Sequence, residues 1–282
     1  MDRWAELGAF LKSRRAGLSP EDVGVRPVGN RRRVSGLRRE ELAPLARIGV
    51  DYYTRLEQGR VQGVSAEVLE AVFDALRLSP DEREYARNLA GPARTIPLGP
   101  RTVRPALQHL LDSTPDTPAY VIGPLADVIA WNQLACAMFT DFAAMAIKDR
   151  NWSHFLFVDE HMQALFDDPM IGRRENVAFL RLQLSRHPGD PDITRLVERM
   201  LARSPIFREI WATYDVADKA HNDFLFHHPV VGDLTLAFQA ARLPNDPGQM
   251  LITYTAEPDT ASAAALHKLR RGEPPTDAYR SA

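Results

Sequence analysis

The 282-residue sequence has a single cysteine, Cys136, and no apolar run long enough to cross a membrane. A single cysteine cannot form an internal disulfide, and the absence of disulfides is usual for proteins of a reducing cytoplasm. A membrane-spanning helix needs about 20 consecutive apolar residues. The N-terminal residues, with acidic side chains mixed in, do not resemble a secretory signal either. We therefore expect a cytoplasmic protein without a membrane span.

The motifs of common enzyme classes are also missing. There is no glycine-rich phosphate loop, no Gly-x-Ser-x-Gly turn and no His-Glu-x-x-His helix. His221, His227 and His228, near Asp223, are the only grouping that suggests a metal. However, adjacent residues on a strand face opposite sides, so His227 and His228 cannot both point inward. We expect no catalytic residue, no metal and no cofactor, and we expect Cys136 to be a small buried apolar residue.

Acidic residues are absent between Val23 and Arg39, a stretch that contains six arginines. Residues 1–91 contain 16 basic and 14 acidic side chains, whereas the remainder contains 19 and 23. The positive charge of the chain is therefore concentrated near its N-terminus. A cluster of arginines is typical of a surface that contacts phosphates. A solvated basic loop is the competing interpretation.

Helical periodicity and capping signals predict five short helices in residues 1–91, which would form an all-α domain. Ser65 and Ser79 are predicted N-caps, the latter followed by Pro80 and Glu82 in a capping box. The predicted helices comprise Leu7–Ala16, one from about Arg38 to Ala46, Val50–Gln58 ended by Gly59, one after Ser65, and one from Ser79 to about Gly91. A three-residue turn joins the second and third, as in a helix-turn-helix.

Residues 92–105 contain four prolines and are predicted to be a stiff linker. A second domain follows over 106–270, with a flexible tail at 271–282. Its patterns predict an α+β fold with strands separated by several helices. The predicted strands are Ala119–Ile122, Asp127–Asn132, Leu234–Leu243 and Gln249–Glu257, and the predicted helices are Gln133–Phe142, Arg174–Ser185, Ile193–Arg203, Ile206–Tyr214 and Ser262–Leu269.

Two stretches of the N-terminal domain carry a family resemblance: Leu37–Ala46, and Asp51–Arg60 with the sequence DYYTRLEQGR. Together with residues 18–24 and the arginine-rich stretch, they resemble the Xre-type helix-turn-helix family, in particular its MmyB-like branch. The resemblance covers nearly all of residues 5–91. It implies that Val50–Gln58 is the recognition helix, which enters the major groove of double-stranded DNA.

The resemblance and the charge pattern together give a set of expected DNA contacts. Arg55 would bind guanine, Val50 a thymine methyl group and Asp51 a cytosine amino group, unless Asp51 only caps the helix. The alternative for Arg55 is an ion pair with Asp51 or Glu57. The full set is Arg31, Arg32, Arg33, Arg38, Arg39, Val50, Asp51, Thr54, Arg55 and Arg60.

Other positions of the same helices are expected to face the protein interior. Tyr53 and Leu56 are predicted to pack inward, whereas Tyr52 is ambiguous. Glu57 resembles a buried acid of the family that pairs with an arginine of the first helix, here Arg14 or Arg15.

The sequence departs from the family pattern at three positions of the DNA-reading unit. Pro44 lies inside the second helix, where proline removes a backbone hydrogen bond. Arg47 stands where the family usually has glycine, and Gly49 replaces the usual serine cap of the recognition helix. We expect the fold and DNA binding to survive these departures, although they could bend the second helix or impair DNA reading.

The C-terminal domain is similar to the PAS-like ligand-binding domain of MmyB-like regulators from Pro105 to Leu269. The Trp131-Asn132 step, Arg208 with Trp211, and residues 228–232 carry the resemblance, whereas Asp168-Pro169 departs from it. It implies a small hydrophobic or fatty-acid-like ligand. The candidate pocket residues are aromatic, although each could also be ordinary core: Trp131, Phe139, Trp152, Phe155, Phe179, Trp211 and Phe224.

Two classes of function follow. The first is a DNA-binding transcription regulator, acting as a homodimer on a pseudo-palindromic site and controlled by a ligand. The second is a ligand-binding or protein-interaction protein whose helix-turn-helix has lost DNA binding. The arginine-rich stretch and Arg55 discriminate between them.

Overall fold

The computed structural model describes residues 2–25, 36–61, 63–92, 98–216, 222–244, 246 and 248–272. The chain divides into two compact units. The first comprises Met1–Ile96 with Ala212–Val216, and the second comprises Pro97–Trp211 with Ala217–Ala282. Among the described helices, none combines the length and the apolar character that a membrane span requires.

The first unit is built from helices, as the sequence predicts. They are α1 (Arg3–Gly17), α2 (Arg39–Leu45), α3 (Val50–Glu57), α4 (Ala66–Ala75) and α5 (Pro80–Ala90), with a short 3-10 turn at Glu21–Val23. Their core contains the apolar residues on the inner face of each helix, among them Leu7, Phe10, Leu42, Leu56, Val72, Phe73 and Leu89.

Three predicted helix ends of this unit, at Ser65, Ser79 and Gly59, are confirmed by the structure. The Ser65 side chain accepts a hydrogen bond from the Val68 amide at 3.3 Å. Ser79 and Glu82 form the predicted capping box. Gly59 follows α3 with a φ of 68°, and a Cβ there would lie 2.8 Å from the Ala5 amide nitrogen, so only glycine fits.

The second unit contains a five-stranded antiparallel sheet. Its strands are β1 (Ala119–Ile122), β2 (Val128–Trp131), β3 (Asn222–His228), β4 (Gly232–Arg242) and β5 (Met250–Thr255). Their order in the sheet is β2-β1-β5-β4-β3. The sheet and its helices confirm the predicted α+β class, although the first half of the last hairpin, β3, was not predicted as a strand.

The helices of the second unit cover one large apolar core. They are α6 (Pro105–Asp112), α7 (Gln133–Met138), α8 (Trp152–Phe157), α9 (Glu160–Ala164), α10 (Pro169–Arg186), α11 (Pro191–Arg203), α12 (Pro205–Trp211) and α13 (Ala261–Arg271). The Trp131-Asn132 step opens α7 because the Asn132 side chain accepts a hydrogen bond from the Ala135 amide at 2.9 Å.

Four predicted helices have clearly different bounds in the structure. The helix expected from Leu7 begins at Arg3, because the Asp2 side chain accepts hydrogen bonds from the Trp4 and Ala5 amides and caps it. The helix expected to reach Phe142 ends at Met138, and the one expected to reach Tyr214 ends at Trp211. Tyr214 has a φ of 60°, a left-handed conformation that a helix cannot contain. The helix expected from Arg174 begins at Pro169, because Asp168 accepts a hydrogen bond from the Met170 amide and caps it.

Strand β3 shows the alternation predicted for its two histidines. His227 is exposed and contacts Asp233 and Asp167 at 2.8 and 3.1 Å. His228 is buried, with Nε2 at 3.1 Å from the Ala137 carbonyl. The two side chains therefore lie on opposite faces of the sheet.

Candidate nucleic-acid interface and ligand-binding core

Helices α2 and α3 are joined by the tight turn that a helix-turn-helix requires. The turn consists of residues 46–49, and its Arg47 has a φ of 55°. This left-handed conformation explains the glycine that the family usually has here. For arginine it costs roughly 1–2 kcal/mol.

The other two departures from the family pattern, Pro44 and Gly49, occupy the positions that the sequence predicts. Pro44 is the sixth of the seven residues of α2, so the missing backbone hydrogen bond falls in the last turn of that helix. Gly49 is the N-cap of α3 and supplies no side-chain acceptor. The helix pair forms in spite of all three.

The outer face of α3 is polar and open. Asp51 and Arg55 are exposed, and Val50 and Thr54 are partly exposed. Arg55 forms no ion pair with Asp51, Glu57 or any other acid within the described parts of the chain. Its guanidinium is therefore available to a partner, which is the geometry that base recognition needs.

The inner face of α3 is anchored by a buried carboxylate. The side chain of Glu57 is only 1% exposed. Arg15 of α1 donates to it from Nε at 2.6 Å and from Nη2 at 3.1 Å, and Arg39 of α2 donates from Nε at 2.7 Å. Tyr53 and Leu56 are buried beside it, as predicted. One acid thus connects the recognition helix to two other helices, and Arg15, not Arg14, is its partner on α1.

Charge and burial act in opposite directions at this acid. Burial by itself would raise the pKa of Glu57, but hydrogen bonds from Arg15 and Arg39 outweigh it and hold that pKa below its ordinary value. Burial, followed by the nearby Glu57 charge, raises the pKa of Tyr53. Glu57 is therefore ionised near neutral pH.

The remaining expected DNA contacts lie around this helix pair. Arg60 is exposed after α3, and Arg38 is partly exposed at the N-cap of α2, where its amide donates to Glu41 at 2.8 Å. Arg39 is also partly exposed, but its Nε is occupied by Glu57, a structural role that the sequence did not suggest. Arg31, Arg32 and Arg33 lie outside the described residues.

In the second unit, the predicted pocket residues belong to one aromatic core. Ring contacts of 5.4–6.0 Å, through Phe142 and Phe226, connect five of the seven: Trp131, Phe155, Trp152, Phe139 and Phe224. Phe179 is fully buried in the same core. The rings pack on one another, so a ligand entering here would have to separate them.

Trp211 lies apart from that ring chain. It stacks on Phe207 at 5.6 Å, and the guanidinium of Arg181 lies 4.1 Å from the centre of its ring. Arg181 also donates to the Trp211 carbonyl and is itself 1% exposed. Trp211 thus shields a buried charge through a cation-π contact.

The aromatic core contains polar groups that the sequence analysis did not single out. The hydroxyls of Tyr120 and Tyr254 lie 3.3 Å apart, and Ser153 Oγ donates to Asn176 Oδ1 at 2.9 Å. Trp152 Nε1 and Asn176 Nδ2 are buried and have no hydrogen-bond partner among the described residues. The only sequence signal for these polar groups was that Tyr120 and Tyr254 each lie in a predicted strand of this domain. Asn176 gave no signal, because α10 is buried on several sides.

Two clefts at the surface of the second unit are lined by residues outside the aromatic core. One has a volume of about 800 Å³ and is lined by charged residues including Arg101, Asp127, Lys148 and Arg199. The other, of about 620 Å³, lies beside Asn132 and the end of α13. None of the seven predicted pocket residues lines either cleft.

Comparison with known families assigns both parts of the chain. A helix-turn-helix domain model matches residues 28–86, and a model described as the MmyB-like transcription regulator ligand binding domain matches residues 103–269. No curated protein matches the chain. Neither model describes an enzyme family.

Proposed function

The chain belongs to the MmyB-like transcription regulators, and from this premise we propose that it binds specific double-stranded DNA through α2 and α3 under the control of a small hydrophobic ligand. The matched domains are those of a ligand-regulated transcription regulator. Binding to chromosomal DNA would place the protein in the cytoplasm. We further propose that it acts as a homodimer, because two copies of one recognition helix read a pseudo-palindromic site.

The observation that carries the DNA-binding proposal is the outer face of α3. It presents Arg55 without an ion-pair partner among the described residues, next to Asp51 and Thr54. An arginine that binds guanine through two hydrogen bonds contributes about 1–3 kcal/mol of discrimination. Arg38, Arg60 and the Arg31–Arg33 group would contact phosphates around it. Arg39 would do so with the guanidinium nitrogens that Glu57 leaves free.

The three departures in the DNA-reading unit favour a second candidate function. If Pro44, Arg47 and Gly49 have cost the unit its docking geometry, the protein would bind a ligand or another protein without reading DNA. The two candidates differ in the role of Arg55. It is a base contact in the first and a solvated side chain in the second.

The test is binding of Arg55→Ala to an operator selected from a random DNA pool with the unmodified protein. We expect the selected site to lose about 10- to 100-fold in affinity, while affinity for random DNA changes far less. Arg87→Ala is the matched control, because Arg87 is an exposed arginine of the same domain that is paired with Glu70 and is not among the expected DNA contacts. Failure of the unmodified protein to enrich any sequence would favour the second candidate.

A phosphate role for the arginine-rich stretch is tested separately. Replacing Arg31, Arg32 and Arg33 by glutamate should weaken binding to operator and random DNA alike and should flatten the salt dependence of both. Unchanged affinity and salt slope would mean that this stretch is only a solvated loop.

The aromatic core is the proposed ligand site. Its support is the match of this domain to a ligand-binding family and the concentration of the predicted residues in one core. A ligand that separates the rings would bury apolar surface worth about 25 cal/mol per Å². It would change DNA affinity by favouring one of two arrangements of the protein. Titration of decanoate or a similar amphiphile into the protein–operator complex tests this response.

A further inference from the structure

The aromatic core of the second unit contains hydrogen-bond donors without acceptors. Trp152 is 3% exposed and Asn176 is fully buried. The indole Nε1–H of the first and the amide Nδ2 of the second have no partner among the described residues. A buried polar group without a partner costs about 1–3 kcal/mol, so native proteins retain few of them.

The tyrosine pair adds a third donor. Tyr120 and Tyr254 are both buried, and their hydroxyls share a single hydrogen bond at 3.3 Å. Two hydroxyls have two hydrogens, and only one of them can lie between the two oxygens. The other hydrogen has no acceptor among the described residues.

Several contacts bring these donors into one region. The Tyr120 ring stacks on the Trp152 indole at 5.5 Å. Ser153, the neighbour of Trp152 in α8, donates to the Asn176 side chain in α10 at 2.9 Å. The donors therefore lie on neighbouring elements, β1, β5, α8 and α10.

These donors lie in a part of the core where burial disfavours charge. Burial raises the pKa of Tyr120 and of Tyr254, so both hydroxyls stay protonated at neutral pH. A ligand carboxylate would have to be desolvated to enter this core. A neutral acceptor would not meet that cost.

We propose that Trp152, Asn176 and the Tyr120–Tyr254 pair bind the carbonyl oxygen of an uncharged acyl compound, an ester, amide or ketone, whose apolar chain lies among the surrounding rings. This proposal rests on the proposed function, since it assigns the polar end of the ligand that the aromatic core would hold. Two or three donors converging on one carbonyl would also select against a plain hydrocarbon.

The test measures binding of three probes to the full-length protein by calorimetry: methyl decanoate, decanoate and decanol. We expect methyl decanoate to bind at least about 10-fold more tightly than decanoate. Trp152→Phe and Asn176→Leu should each weaken the binding of methyl decanoate by about 5- to 20-fold. They should also reduce the difference in affinity between methyl decanoate and decanol. Trp131→Phe is the comparison for ring packing, since Trp131 belongs to the same aromatic core but is not one of the proposed donors, and its loss of ester affinity should be clearly smaller than that of Trp152→Phe. Trp4→Phe is the matched control, since Trp4 lies in the first unit and outside this core, and it should leave the ester affinity unchanged.

The outcomes separate this proposal from the broader one. Tighter binding of decanoate than of its ester would overturn the neutral-carbonyl assignment and leave a hydrophobic ligand in place. Equal losses in Trp152→Phe and Trp131→Phe would show that ring packing, and not the indole donor, determines affinity. If none of the three probes binds, both the carbonyl site and the proposed ligand site in the aromatic core are wrong.

Discussion

At the scale of single residues, Glu57 is the most consequential contact of the DNA-binding unit. It is buried and receives hydrogen bonds from two arginines on two different helices. Removing one partner of a buried ion pair leaves the other charge uncompensated. The sequence predicted the acid and an arginine of α1. It could not predict Arg39, because only the folded contact of α2 with α3 brings that side chain to Glu57.

Glu57→Gln is therefore expected to lower the free energy of unfolding by about 3 kcal/mol. Chemical denaturation of the full-length protein measures the change. Glu70→Gln is the matched control, because Glu70 also accepts hydrogen bonds from two arginines but is 39% exposed. Its loss should stay below about 1 kcal/mol, since exposed ion pairs contribute little. Equal losses in the two variants would refute the role assigned to burial.

The buried His228 predicts a dependence of stability on pH. Burial lowers the pKa of His228 in the folded protein, although its contact with the Ala137 carbonyl acts the other way. The unfolded chain therefore takes up a proton first as the pH falls below about 6.5. Stability should be fully present above that value and should decrease as the pH falls through the folded pKa.

His228→Asn should reduce the loss of stability between about pH 7 and pH 5, measured by urea denaturation at each pH. His227→Asn is the control of opposite sign. Hydrogen bonds that His227 donates to the Asp233 and Asp167 carboxylates raise the pKa of His227, so its contribution is present at low pH and is lost as the pH rises. Its effect should be small because the side chain is exposed. The account of His228 does not survive if its replacement leaves the pH profile unchanged.

At the scale of elements, the turn between α2 and α3 combines strain with function. Arg47 has a φ of 55° there, and Arg77, after α4 in the same domain, has a φ of 52°. Both positions would be occupied more comfortably by glycine. Only the first lies in the DNA-reading unit.

Arg47→Gly and Arg77→Gly should each raise the free energy of unfolding by up to about 1 kcal/mol, measured by thermal or chemical denaturation. Operator affinity should change by less than tenfold in both. A tenfold or greater gain in operator affinity in Arg47→Gly alone would mean that the arginine impairs DNA binding. The helix-turn-helix would then not have its optimal affinity for the operator.

The elements also show what local patterns could and could not predict. The five N-terminal helices were predictable from their periodicity, and three of them also have a start or stop signal: Ser65, Ser79 with Glu82, and Gly59. Helix α6 was missed, although Pro105 opens it. Strand β3 was missed because its pairing with β4 is a tertiary contact, and only the turn at residues 228–232 that follows it has a local signal.

At the scale of the whole molecule, the two matched domains define the class of function. The proposed specificity for a DNA sequence and for a ligand depends on individual side chains. The residues of the aromatic core, the proposed ligand site, could be predicted as a group from composition and resemblance. The orphaned donors Trp152 and Asn176 could not, because an unsatisfied hydrogen bond is visible only once the packing around it is known. The same holds for the available guanidinium of Arg55.

The most direct test of the account is a comparison of two duplexes, the operator selected from a random pool and a scrambled sequence of equal length, each at low and moderate salt. We predict at least a roughly 10³-fold preference for the operator, with salt-dependent binding to both. Equal, weak binding to the two duplexes would contradict the account, because it would mean that α2 and α3 keep the fold of a DNA-reading unit without its function.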